Sequence, residues 1–214
     1  LLGGTTEWTK MEGIAINAKD KKLYMAMSRI ESSMRSDATE PADHIRLAEN
    51  KAGATYTLDL QSGVKDSQGN AINSDWVAVS MYVEPALLGK PISADAAGNT
   101  ADVNSIANTD NLFFSEKMRT LFIGEDSGMH INNFLWAYNV DTQKLTRILT
   151  LTAGAESTGL QVVENLNGHA YIMSNAQHYG DFPSSINADL KAQLTPMIDR
   201  FNAPVGYIGG IPGL

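Results

Sequence analysis

Apolar and polar residues alternate with a period of two over several short segments of this chain, and such alternation is typical of β-strands. In KMEGIAIN, Ile14 and Ile16 point to one face of the predicted strand while Asn17 points to the other. The next segment, KLYMAMS, alternates in the same way after the polar stretch AKDKK. The pattern therefore predicts two strands joined by a turn.

Further segments carry the same period. ATYTLDLQ and WVAVSMYVEP, the latter ending before Pro85, are predicted strands, and FLWAYNVDTQKLTRILTLT predicts two antiparallel strands with a turn at 141–144. Residues 29–54 have no clear period and predict a loop with a helical turn, while 89–105, rich in small and polar residues, predict a second loop. The chain is therefore expected to be all-β.

The C-terminal part adds one segment with helical spacing. In NADLKAQLTPMIDRF, Leu190, Leu194 and Phe201 belong to an apolar set at that spacing, and Pro196 ends the helix or starts a second short one. We expect this helical insertion to act as a scaffold or an interface. The final APVGYIGGIPGL is interpreted as one more strand or as the point where the sequence simply stops.

An acid followed by an alternating strand occurs three times, in KMEGIAIN, NTDNLFFS and GAESTGLQVV, and each is followed by a second apolar strand. The acids Glu12, Asp110 and Glu156 stand 12, 11 and 15 residues ahead of the matching second-strand positions Tyr24, Leu121 and Tyr171. Repeated four-stranded sheets around one axis form a β-propeller, whose innermost strands face a shared channel. The repeats therefore predict a propeller.

The length sets how much of a propeller is expected. Blades of about 40 to 50 residues give about three blades in 214 residues, approximately 1–88, 106–152 and 153–214, where closure takes at least four. We therefore expect 1–214 to be one incomplete propeller domain or a fragment, which relies on missing N-terminal blades for closure.

Composition narrows the classes of partner. Apolar residues make up 43% of the chain, enough for a core, and 24 acids against 16 bases give a net charge of −8. Without a basic stripe or a run of 18 apolar residues, neither nucleic acid nor a membrane is an expected partner. The absence of cysteine excludes disulfides and thiolate metal sites.

The repeated acids predict a metal site. An acid at the same point of each inner strand gives a ring of carboxylates, whose repulsion a cation or shared protons would relieve. Oxygen ligands suit Ca²⁺, Mg²⁺ and Fe³⁺, whereas four scattered histidines argue against zinc. Glu12, Asp110 and Glu156 are therefore predicted metal ligands, with turn-capping acids at strand starts as the alternative.

Two other strand ends hold candidate residues. Glu125 and Asp126 end RTLFIGED, and because adjacent strand residues point to opposite faces, at most one faces the channel while the other caps the SGMHINN turn. His178 in SNAQHYGD lies at the matching end of the next repeat. It either contacts phosphate or forms a hydrogen bond within its loop.

These phrases together resemble a known family. Four phrases carry the resemblance: KMEG, NTDNL where the family has PDNL, GAESTG where it has a GCEVTG-like phrase, and QHYGD, which is similar to QHPGE. Together they resemble the C-terminal part of the PhoX-type alkaline phosphatases. These are calcium- and iron-dependent propeller enzymes exported to the periplasm or beyond. The resemblance spans most of the chain, although TDNL is shared with gluconolactonase-type propellers.

The resemblance implies hydrolysis of phosphate esters at a cluster of Fe³⁺ and Ca²⁺ ions. Glu12, Asp110 and Glu156 fall on metal-ligand positions, and Lys10 falls where the family has a phosphate-contacting arginine. The sequence departs from the family at Lys10, at Ala155 in place of a cysteine, and at Thr109 in place of a proline. The family takes further ligands, one of them a cysteine, from earlier blades, so the isolated chain is expected to be incomplete as an enzyme.

Three functions follow as hypotheses. The first is a metal-dependent phosphatase, or a piece of one, that acts on small phosphate esters. The second is a gluconolactonase-like calcium hydrolase in which one ion polarises a lactone carbonyl. The third is a non-catalytic propeller module whose carboxylates hold structural calcium.

Overall fold

The computed structural model describes residues 5–36 and 43–214. Within these residues the chain forms three antiparallel sheets of four, four and three strands, and none of them closes into a barrel. The first sheet, in the order β1-β2-β3-β4, contains β1 (Lys10–Asn17), β2 (Lys22–Arg29), β3 (Ala54–Gln61) and β4 (Val77–Leu88). The all-β prediction is confirmed.

The other two sheets follow in chain order. The middle sheet, in the order β5-β6-β7-β8, contains β5 (Thr109–Ser115), β6 (Thr120–Glu125), β7 (Phe134–Asn139) and β8 (Lys144–Thr150). The third sheet, in the order β11-β10-β9, contains β9 (Glu156–Leu166), β10 (His169–Gln177) and β11 (Val205–Pro212). The segment APVGYIGGIPGL therefore supplies a strand that pairs with β10.

One predicted strand end was wrong. The strand predicted to stop before Pro85 continues to Leu88 as β4. Pro85 lies where the pairing of β3 with β4 is irregular, between the Tyr56–Val83 and Ala54–Leu88 pairs. Proline lacks an N–H for strand pairing and is found in sheets at edge strands and bulges, and β4 is an edge strand with irregular pairing at this point.

The first hairpin of each sheet contains a residue with a positive φ, but the turns are not all alike. Lys21 and Arg119, each with a φ of 52°, end four-residue loops directly before β2 and β6. Strands β9 and β10 are joined instead by the two-residue loop of Asn167 and Gly168, with φ values of 52° and 83°, as a tight hairpin turn requires. The first two sheets thus share a hairpin construction that the third sheet replaces with a shorter turn.

The core lies on both faces of the middle sheet. Leu121 and Ile123 pack towards the first sheet, in a cluster with Tyr24 and Leu87. The intervening Phe122 packs towards the third sheet, with Ile172 in its cluster. Strand β6 is therefore buried on both sides, in agreement with the consecutive apolar residues Leu121, Phe122 and Ile123.

The short helix was correctly predicted but buries nothing. Helix α1 (Ala188–Leu194) begins after Asn187, whose side chain accepts hydrogen bonds from two backbone N–H groups, and Pro196 lies in the 3-10 turn that follows. Phe201 is 98% exposed, so the apolar set does not form a scaffold core. No helix among the described residues has the length and apolar character that a membrane crossing needs.

The first strands of the three sheets lie next to one another. Strand β5 contacts β1 on one side and β9 on the other. A Cβ atom added at Gly13 would lie 2.3 Å from the backbone oxygen of Asp110, so only glycine permits this approach of β1 to β5. This packing brings the starts of the three first strands together.

Candidate functional site

Four carboxylates from three sheets converge at the adjoining starts of the first strands. Glu12 lies in β1, Asp110 in β5 and Glu156 in β9, and Asp126 follows β6 directly. The negative charge of Asp126 repels those of Asp110 and Glu156, and the charge of Glu12 also repels that of Asp110. We call Glu12, Asp110, Asp126 and Glu156 the carboxylate cluster.

Irregular strand pairing accompanies these acids. The β1–β2 register shifts between Lys10 and Ile14, around Glu12, and the β5–β6 register shifts between Thr109 and Leu112, around Asp110. The β9–β10 register shifts just after the Thr158–Asn175 pair. Bulges re-aim side chains and occur frequently beside functional sites. Strict strand alternation therefore does not decide where these acids point.

Lys10 is the cation of the cluster. Its Nζ atom lies 3.2 Å from Oε1 of Glu12 and 3.3 Å from Oδ2 of Asp126. Partial burial alone would lower the pKa of Lys10, but the two carboxylates outweigh burial and raise it above its ordinary value. Lys10 therefore stays charged and holds two of the four carboxylates.

Asp110 lies beside this ion pair and has few donors of its own. Its Oδ1 atom accepts a hydrogen bond of 2.8 Å from Nδ2 of the adjacent Asn111, whose Oδ1 in turn accepts from the Gly159 N–H of β9. Burial, followed by the charges of Glu12 and Asp126, raises the pKa of Asp110 to about 6, although Lys10 and Asn111 act to lower it. The carboxylate is thus poorly neutralised in the folded chain.

Glu156 is the second member of the cluster whose pKa is strongly raised. Its side chain is 13% exposed, and burial, followed by the charges of Asp126 and Asp110, raises its pKa to about 7. His178 and Lys10 oppose the shift. The Nε2 atom of His178 lies 3.7 Å from Oε2 of Glu156 and 2.6 Å from Nε2 of Gln177. The structure thus brings His178 to the cluster.

Glu125 lies elsewhere, in the core. Its carboxylate is fully buried and accepts hydrogen bonds from the backbone N–H groups of Ala107 and Phe134 and from the Trp136 indole. The His130 ring lies 3.0 Å away. Of the two neighbouring acids, only Asp126 belongs to the cluster, while Glu125 binds the turn that connects β6 to β7.

The oxygen atoms of the cluster are of the chemical type that a hard cation prefers as ligands. All four side chains are carboxylates, and oxygen ligands are those that Ca²⁺ prefers. Asp110 and Glu156 together have fewer hydrogen-bond donors than their oxygens can accept. As the side chains are placed, however, no three His, Asp or Glu residues in 5–36 and 43–214 are arranged to hold an ion. Lys10 instead occupies the space between Glu12 and Asp126.

A cavity of about 210 Å³ opens beside the cluster, and we call it the small cavity. Asp126, Glu156 and His178 line it together with Arg29 and Asp181. Sequence reasoning missed Arg29 and Asp181 as site residues. Arg29 ends β2 directly opposite Lys10, so the predicted hairpin already carried a signal for it, and Asp181 belongs to the HYGD phrase.

Comparison of the chain with models of known protein families, with curated proteins and with solved structures finds no match.

Proposed function

We propose that this chain is a metal-dependent phosphoric ester hydrolase, similar to an alkaline phosphatase, or part of one. The observation that carries the proposal is the convergence of four carboxylates from three successive sheets around a single lysine. Asp110 and Glu156 are held where their negative charges are costly. A calcium ion at the cluster would relieve that cost.

Different residues of the chain would bind the ion and the phosphoryl group. Glu12, Asp110, Asp126 and Glu156 would hold the ion, and Lys10 would contact the phosphoryl oxygens as a point charge with three donors. His178 offers an imidazole beside the cluster, with Nε2 as an acceptor for the Gln177 amide and within 3.7 Å of Oε2 of Glu156. Bound Ca²⁺ would supply positive charge that offsets developing charge on the phosphoryl group.

The proposal takes the three sheets as consecutive blades of an incomplete β-propeller. The side-by-side first strands support this arrangement. Closure requires at least four blades, so further blades are the proposed partners of the open sides. A crystal structure in which the sheets stack without a common axis would contradict it. Export to the periplasm or beyond stays a prediction.

The test combines metal content with turnover. The purified chain is exposed to Ca²⁺, dialysed and analysed for calcium and iron, and hydrolysis of p-nitrophenyl phosphate is measured with and without a chelator. We expect bound calcium, which is lost in an Asp110→Asn, Glu156→Gln double variant. Because the isolated chain is expected to be incomplete as an enzyme, turnover is measured also in a protein that supplies the further blades, where it is expected to be chelator-sensitive and lost in the same double variant. Asp141→Asn is the matched control, because Asp141 pairs with Arg119 at an exposed site.

Other results would favour the other hypotheses. Calcium binding without turnover of any ester indicates a non-catalytic module with structural calcium. One bound ion with lactone hydrolysis and no phosphate affinity indicates a gluconolactonase-like hydrolase. If the chain binds no calcium, the metal site is wrong. The Fe³⁺ prediction is tested by the iron content of the same samples.

A further inference from the structure

Arg29 lies at the junction of two cavities. It lines the small cavity with Asp126 and Glu156, and it also lines a second cavity of about 540 Å³, which we call the large cavity. Arg29 and Lys10 are directly opposite each other in the β1–β2 pair, and opposite residues of an antiparallel pair lie on the same face. Two cations therefore stand together at the edge of the carboxylate cluster.

The guanidinium of Arg29 is available to a ligand. Among the described residues it donates no hydrogen bond, and its ion pair with Glu31 spans 3.8 Å, beyond hydrogen-bond distance. Its side chain is 52% exposed. Arginine presents a planar fork that binds two phosphate oxygens at once, whereas lysine acts as a point charge. Arg29 thus offers the orientation that Lys10 alone lacks.

The large cavity has walls of two kinds. Glu31, Glu49 and Lys51 supply charged groups. Oε2 of Glu49 lies 3.0 Å from Nη1 of Arg35, whereas Nζ of Lys51 lies 3.8 Å from Oε1 of Glu49, so this second oxygen and the lysine retain capacity for hydrogen bonds. Ile92 and Met129 supply an apolar wall. Carboxylates accept hydrogen bonds from hydroxyls, and an apolar wall covers a flat ring. The cavity therefore suits a group that has several hydroxyls and one apolar face.

We infer that Arg29 binds the phosphoryl group of the substrate beside Lys10, and that the large cavity holds a hydroxylated organic group such as a nucleoside. This inference rests on the proposed function, since it names the substrate class of the same site. The ester would extend from the small cavity, past Arg29, into the large cavity.

Direct binding measurements test the inference without turnover. Affinities for inorganic phosphate, phenyl phosphate and adenosine 5′-monophosphate are measured by calorimetry in the presence of Ca²⁺. We expect Arg29→Met to weaken all three by about tenfold or more, because each loses a charge-assisted hydrogen bond. The affinities of Arg29→Lys are expected to lie between those of the wild type and those of Arg29→Met. Arg46→Met is the matched control, since Arg46 is exposed and lines neither cavity.

A second variant tests the large cavity. Glu49→Ala is expected to weaken the affinity for adenosine 5′-monophosphate several-fold and to leave the affinity for inorganic phosphate unchanged. The reason is that Glu49 lines the large cavity and not the small one. Unchanged affinities in Arg29→Met, or a wild-type chain that binds none of the three anions, would overturn the role of Arg29. Equal affinities for phenyl phosphate and the nucleotide, unaffected by Glu49→Ala, would overturn the role of the large cavity.

The binding data separate this inference from the proposed function. Anion binding that depends on Arg29 in a chain without ester turnover would leave the anion site standing and reject the hydrolase. Chelator-sensitive turnover that does not change in Arg29→Met would support the hydrolase and reject Arg29 as the anion site.

Discussion

Glu125 and the carboxylate cluster are two regions in which this chain buries negative charge in opposite ways. Glu125 is fully buried, and three N–H groups and a histidine ring surround its oxygens. Asp110 and Glu156 are less buried, have few hydrogen-bond donors and lie near like charges. Burial and, after it, these like charges raise their pKa values to about 6 and about 7.

The difference separates a structural carboxylate from one whose negative charge is poorly compensated. A buried charge with all its hydrogen bonds satisfied holds its surroundings together. A carboxylate that lacks donors among other carboxylates is stabilised by whatever positive charge or proton reaches it. Burial alone therefore does not identify the functional acid, whereas the balance of its partners does.

The largest expected effect is on the stability that Glu125 provides. Glu125→Ala leaves the Ala107 and Phe134 N–H groups and the Trp136 indole without their acceptor, and each such buried group costs about 1 to 3 kcal/mol. We expect a loss of about 3 kcal/mol or more in the free energy of unfolding, measured with urea. The exposed control Asp141→Ala is expected to lose less than about 1 kcal/mol. Similar losses in both variants would contradict the comparison.

The next effect concerns calcium affinity. Asp110→Asn and Glu156→Gln each remove a carboxylate that the cluster holds at a cost, so folding stability at pH 8 without calcium is expected to stay level or rise. Calcium affinity is expected to fall by about tenfold or more in each variant, because the charge of the ligands sets affinity. Calorimetry and urea unfolding measure the two quantities. A variant that loses stability and keeps its calcium affinity would show that its acid is a structural carboxylate, as Glu125 is.

The pH dependence of stability has a definite sign. The folded pKa values of about 6 for Asp110 and about 7 for Glu156 lie above the ordinary 3.8 and 4.5, so the folded chain keeps protons that the unfolded chain has released. Their contribution to stability is fully present below about pH 4 and is lost as the pH rises through 6 and 7.

Paired unfolding measurements isolate this contribution. The stability of the Asp110→Asn, Glu156→Gln double variant minus that of the wild type is expected to grow between pH 4 and pH 8 in the presence of a chelator. Added calcium at pH 8 is expected to reverse the difference. A difference that does not change with pH would mean that the two acids are as well satisfied as Glu125.

The smallest expected effect comes from the lysine. Lys10→Met removes the ammonium group that lies between Glu12 and Asp126. Because Lys10 competes with a metal ion for these oxygens, calcium affinity is expected to rise by about threefold, while stability changes by less than about 1 kcal/mol. Weaker calcium binding in this variant would show that Lys10 holds the acids in place for the ion.

Local pattern predicted most of the strands because strand formation depends on short-range alternation. The segments KMEGIAIN and ATYTLDLQ are β1 and β3 with the same bounds. The acid at each first strand also predicted that Glu12, Asp110 and Glu156 would come together. The sequence did not reveal Arg29, whose importance depends on the two cavities that it separates.

A repeated turn shows where local determination ends. In DSQGN and DAAGN, the carboxylates of Asp66 and Asp95 accept hydrogen bonds from the backbone N–H groups that follow, and the glycine has a positive φ in each turn. Yet Asn70 of the first turn is exposed, while Asn99 of the second is buried and accepts a hydrogen bond from the Ile131 N–H. The same five-residue pattern thus forms the same turn in two different surroundings.

The sequence by itself determined the strands, the hairpin turns and the carboxylates at the starts of the first strands, since these depend on neighbours within a few positions. Only the tertiary structure decided that Asp126 joins the carboxylate cluster while Glu125 enters the core. It also decided that Lys10 pairs with Asp126, 116 residues away. Charge balance and burial depend on groups brought together from distant segments, and no local pattern contains them.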